Sequence, residues 1–171
     1  MAQHRTDRRR WTTAGGSMLA AVALAALLWS VIAASSDADT AKAAETGACP
    51  GTLIERVPLN AGGKRIAELA VYYDSASGRN CARMNHTAAT WGKRLRTEVS
   101  LAVCAETRPG NTCTWIDSDD DRGNFAYYAG PVSPRTAARG RCIFARGAIR
   151  PAAGAALRSV STFPAATQCG R

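Results

Sequence analysis

The chain has 171 residues, six cysteines and a net charge of +9, with arginine well ahead of lysine. Beyond an apolar leader its length suits one domain, and there is no internal repeat or low-complexity linker. The positive charge suits anionic partners such as cell-wall polymers or polyphosphate. The arginines are scattered, however, and no nucleic-acid-binding motif accompanies them, so nucleic acid is not an expected partner.

In chain order, a basic n-region (Arg5, Arg8, Arg9, Arg10) precedes the apolar run from Met18 to Ala34 and a small-residue site at Ala41-Lys42-Ala43. This is the order of a secretory signal peptide over residues 1–43, with a secreted domain over 44–171 and no membrane attachment after cleavage. Cleavage after Ala38 and retention as a signal anchor are the alternatives. Arg8-Arg9 with Trp11 leaves Sec and twin-arginine export both open.

The rest of the chain alternates with period two, as strands do. In "LRTEVSLAVCAE" Leu95, Thr97, Val99, Leu101 and Val103 share one face. In "RIAELAVYYD" Ala67, Leu69, Val71 and Tyr73 oppose Glu68 and Tyr72. "TLIERVPL", "NCARMNHT", "CTWI", "NFAYYAG", "RCIFARGAI" and "LRSVSTF" also read as strands. Turn-rich stretches separate them: "NAGGK", "DSASGRN", "TRPGNT", "DDDRGN" and "AGPVSP". "TAATWGKR" and "PRTAARG" are long enough for one helical turn each. The expected fold is all-β, a small disulfide-bonded sandwich or barrel.

All six cysteines follow the leader, which argues for three disulfides and an oxidising compartment. Cys104 and Cys113 flank a hairpin connection and are expected to pair. Cys49 and Cys169 lie near the two mature termini, which often meet in a compact domain, leaving Cys81 for Cys142. With no C-x-x-C and one histidine beyond the leader, His86, a zinc site lacks its usual ligands.

With leader, cysteines and strands in order, the chain resembles the spore-associated protein A type of small secreted actinobacterial proteins. "GACPG", "VYYDSASGRNCA", "DRGNFAYYAGPV", "GRCIFARGAI" and the closing "QCG" carry the resemblance, over most of Cys49 to Gly170. It implies a secreted, mostly β domain at spore or cell surfaces and supplies no catalytic residues. The chain departs from the family in "SPRTAARG" after Val132, in Phe144-Ala145 and in the added Cys104–Cys113 pair.

The functional candidates are few. Asp117, Asp119 and Asp121 fit the first three ligand positions of a calcium loop, but glycine comes one residue late and the twelfth position is Tyr128. The acidic run therefore reads as a solvated hairpin turn ending in Gly123-Asn124, with a looser oxygen site as the rival. There is no G-x-S-x-G, and no two carboxylates can be assigned to one cleft. Tyr72 and Tyr128, with Arg94 and Arg96 of the densest basic group, are the binding candidates, able to meet sugar rings and anions. No cofactor is expected. The reading is a non-enzymatic secreted protein of the cell or spore surface, structural or adhesive. The alternative is an extracellular binding module or inhibitor recognising wall glycan or another secreted protein.

Overall fold

A computed structural model describes residues 47–170. The signal peptide and its cleavage site lie outside the described residues. Eight strands follow one another: β1 (Thr52–Ala61), β2 (Lys64–Asp74), β3 (Arg79–His86), β4 (Leu95–Cys104), β5 (Trp115–Phe125), β6 (Tyr128–Val132), β7 (Ile143–Ile149) and β8 (Arg158–Ser161). They form two antiparallel four-stranded sheets, ordered β1-β2-β3-β6 and β5-β4-β7-β8. There is no helix among the described residues. "TAATWGKR" forms hydrogen-bonded turns, with the Thr90 and Trp91 amides donating to the Thr87 carbonyl.

The period-two pattern fixes what each sheet presents to the other. Leu69 and Val71 of β2, Met84 of β3, Val99, Leu101 and Val103 of β4, Val132 of β6 and Ile143 and Ile149 of β7 are buried in one cluster between the sheets. Full burial of such a side chain contributes about 1.5–3 kcal/mol. Gly147 has a packing role: a Cβ there would collide with the Met84 sulfur, so its absence lets the sheets close. The fold is thus a β-sandwich, and of the two architectures expected the barrel is not formed.

One buried polar tie crosses the sandwich. His86 of β3 is 3% exposed. Its neutral ring donates from Nδ1 to the Thr90 carbonyl at 3.2 Å and accepts at Nε2 from the Thr97 hydroxyl of β4 at 2.8 Å. Burial holds its pKa below the usual histidine value.

The three disulfides are Cys49–Cys81, Cys104–Cys113 and Cys142–Cys169. The hairpin pair is as expected; the other two correct the expected Cys49–Cys169 and Cys81–Cys142. Cys81 alternates with the inward-facing Ala82 of β3 and so points away from the other sheet, whereas Cys142, just before β7, packs with Cys104 and Cys169 in a separate cluster. β1 begins beside the end of β2, with Thr52 opposite Tyr73, and Tyr72 lies opposite Cys81, so the residues just before β1 reach Cys81. Thr167 bridges Ile143 and brings Cys169 beside Cys142. Three disulfides point to an extracellular or otherwise oxidising environment.

Non-reducing peptide mapping of the folded protein should recover the 49–81, 104–113 and 142–169 pairs and no free thiol. A recovered 49–169 peptide would overturn this topology. A second outcome concerns His86. Its folded pKa is depressed, so below pH ~6.5 the unfolded chain takes up a proton that the folded one resists, and stability falls as pH falls from there. Urea unfolding should show this loss between about pH 6.5 and 5, and the His86→Gln variant, though less stable, should be flat over that range.

Candidate functional site

The acidic stretch is not a turn. β5 runs straight through it, and the chain reverses at Ala126-Tyr127 instead. β5 is the edge strand beside β4. Asp117, Asp119 and Asp121 lie opposite the inward-facing Val103, Leu101 and Val99. Carboxylates pointing inward at a sheet edge need donors, and the segment after Tyr128 supplies them. The Gly130 amide donates to Asp121 Oδ2 at 2.7 Å, Ser133 to Asp119 Oδ2 at 2.8 Å and Thr136 to Asp117 Oδ2 at 2.7 Å. β6 belongs to the opposite sheet, so this ladder of three charge-assisted bonds laces the open edge of the sandwich. The Thr136 amide holds the Asp117 carboxyl below its usual pKa. The three candidate metal ligands thus serve separate amides and are spread along the strand, with alternate residues about 7 Å apart.

The ladder sets what β5 shows on the other side. With Asp117, Asp119 and Asp121 inward, Ser118, Asp120 and Arg122 face outward, opposite Ala102, Ser100 and Glu98 of β4. A register shift between Val103 and Cys104 makes Ile116 an extra residue and sets Trp115 opposite Cys104, on the outer face. There its ring lies 6.4 Å from Phe144 of β7 and tilted 31° to it. β7 contributes Phe144, Arg146 and Ala148 to this face, opposite Ala102, Ser100 and Glu98.

The consequence is a trough. Its floor along β4 is low because Ala102 and Ser100 are small, while Trp115, Asp120 and Arg122 rise on one side and Phe144 and Arg146 on the other. A cleft of about 290 Å³ is lined by Trp115, Ser100, Asp120, Glu98 and Arg146 among others. Trp115 is 55% exposed at its head. Phe144 lines a neighbouring depression with Phe163, which is 83% exposed, so the aromatic surface continues beyond the trough. The trough's acids are paired: Asp120 Oδ2 with Arg122 at 2.8 Å, Glu98 Oε1 with Arg96 at 2.9 Å.

The other candidates divide. Arg94 and Arg96 are exposed at the Glu98 end of this face, and with Arg150 they line a further cleft. Tyr72 and Tyr128 lie on the opposite sheet, Tyr72 opposite Cys81 and Tyr128 opposite Asn85. Four residues of β3 separate those positions, about 13 Å, so the two tyrosines do not form one site. Tyr128 is engaged within the fold: Arg83 stacks over its ring at 4.3 Å and also donates to the Gly47 carbonyl at 2.6 Å. Cys104 and Cys113 lie near Glu106, but their sulfurs are joined and Glu106 accepts from the Thr114 amide and hydroxyl.

The sequence favours Trp115 as core over ligand platform and offers no reason to single out Phe144 or Arg146 for a site, because only the β5–β4–β7 register brings the three together. Comparison of the chain with protein-family models, curated proteins and solved structures found no match.

Removing an inward carboxylate should therefore cost more than removing an outward one. Asp119→Ala leaves the partly buried Ser133 amide without its acceptor and should lower stability by about 1–3 kcal/mol. Asp120→Asn loses only an exposed pair and should stay within about 0.5 kcal/mol of wild type. Denaturant unfolding of the two variants checks this; equal effects would show that the ladder is not holding the edge.

Proposed function

We propose that the protein is a secreted, non-enzymatic adhesive component of the cell or spore surface that holds glycan in the trough along β4. The observation that carries this reading is the exposed Trp115 ring, set against the half-buried Phe144, at the head of a groove whose floor is small and whose walls are polar. Pyranose rings present C–H faces that stack on aromatic rings, and their hydroxyls take hydrogen bonds from guanidinium groups and give them to carboxylates. Asp120, Glu98 and Arg146 stand where such hydroxyls would lie. An exposed aromatic surface of this kind on a small domain marks an interaction site.

The non-enzymatic part rests on what surrounds the trough. His86, the one histidine beyond the leader, is buried between the sheets and engaged at both ring nitrogens. Of the four acidic residues lining the cleft, Glu98 and Asp120 are each paired with an arginine, and Asp119 and Asp121 accept from backbone amides. Secretion rests on the leader-like N-terminus and on the disulfides; placement at the spore surface rests on the resemblance to spore-associated proteins.

The test is retention of the leaderless protein on purified wall glycan. Wild type should be retained, and Trp115→Ala, which removes the stacking face from an exposed position, should bind roughly tenfold more weakly with an unchanged melting temperature. Tyr128→Phe should bind like wild type. Absence of retention, or equal retention of Trp115→Ala, would contradict the proposal.

A further inference from the structure

The trough does not end at Glu98. Along β4, Arg96 follows two residues on from Glu98, opposite Asn124 of β5, and the Arg150 amide donates to the Arg96 carbonyl at 2.8 Å. These residues, with Arg94, line a cleft of about 380 Å³ into which no carboxylate projects. From Ala102 to Arg96 the face spans six residues of one strand, about 20 Å. Its two ends differ in kind: aromatic rings at one, guanidinium groups at the other.

Charge along this face is unbalanced. Arg122 is matched by Asp120 and Arg96 by Glu98. The side chains of Arg146 and Arg150 have no hydrogen-bond or ion-pair partner among the described residues, and Arg94 reaches only the Asn124 carbonyl, at 3.5 Å. Three guanidinium groups thus face solvent without a counter-charge. A neutral glycan would leave them as they are. A ligand with anionic groups at intervals would engage them, and arginine is the side chain whose planar donor fork fits phosphate oxygens.

We infer that the trough's ligand is an anionic glycopolymer: sugar rings on Trp115 and Phe144, phosphodiester groups at Arg146 and in the Arg94–Arg96–Arg150 cleft. This rests on the glycan reading above and narrows it to one chemical class. Phosphodiester chains also occur in nucleic acids. The oxidising environment indicated by the disulfides favours a polymer of the cell envelope.

The experiment uses the leaderless protein and two wall preparations, intact and stripped of phosphodiester-linked polymers with hydrofluoric acid. Wild type should bind intact walls at least tenfold more tightly than stripped ones at 50 mM salt. That excess should be largely gone by 200 mM salt, because about three released counterions weaken the ionic contribution roughly twenty- to forty-fold over this range. Replacing Arg94→Gln and Arg150→Gln together, both exposed, should abolish the excess and leave the weaker binding to stripped walls, which Trp115→Ala removes. Equal binding to both preparations would overturn this inference and leave the glycan proposal standing; no binding to either would overturn both. A soluble glycerol phosphate oligomer should outcompete a single-stranded oligodeoxynucleotide of equal charge, and the reverse order would overturn the assignment in favour of nucleic acid.

Discussion

Three hydrogen bonds from backbone amides to carboxylates, Gly130 to Asp121, Ser133 to Asp119 and Thr136 to Asp117, decide how this domain is built. An edge strand is a liability, because its unpaired groups invite pairing with another chain, and inward-pointing charge is one way to block it. Here the inward charge also joins the sheets. β4 is the only strand to which β5 is hydrogen-bonded in its sheet; through its aspartates β5 also holds the segment that continues from β6 in the opposite sheet. The sandwich is laced at that edge, and β5 can sit in only one register. A slip of one residue would turn the aspartates to solvent and Ser118, Asp120 and Arg122 inward.

The trough follows from that register. It exists because three outward rows coincide: a low one on β4, where Ala102 and Ser100 leave space, and taller ones on β5 and β7. The shift at Ile116 adds Trp115 to the outer face at the point where Phe144 can meet it. The outer face of the other sheet is closed by its own chemistry. Glu68 is held by Arg56 at 2.9 Å and Arg65 at 3.2 Å, while Arg83 is occupied by Asn85, Gly47 and the Tyr128 ring. The two faces are thus unequal, and only one keeps unmatched guanidinium groups and exposed rings.

Much of this was legible in the sequence wherever the cause was local. The alternation in "LRTEVSLAVCAE" and "RIAELAVYYD" named the core face of β4 and β2, and the hairpin around Pro109-Gly110 named the Cys104–Cys113 pair. Non-local causes were not legible. Asp117, Asp119 and Asp121 do alternate, as strand residues would, but an aspartate run without visible partners reads as a turn. Its partners, the amides of Gly130, Ser133 and Thr136, leave no mark on side-chain identity. The two longer disulfides depend on which strand lies beside which, and nearness of the termini was the wrong guide. Arg94 and Arg96 stood out by density, whereas Trp115, Phe144 and Arg146 meet only through the β5–β4–β7 pairing.

The central claim is that the ladder holds β5 against the segment after Tyr128, and amide hydrogen exchange reads it residue by residue. At neutral pH the Gly130, Ser133 and Thr136 amides should exchange slowly, although each has a side chain as its acceptor. In Asp119→Ala the Ser133 amide should lose its protection first, while core amides such as those of Leu101 and Val71 keep theirs. Fast exchange at all three positions in the wild-type protein, with the rest of the sandwich protected, would contradict the account.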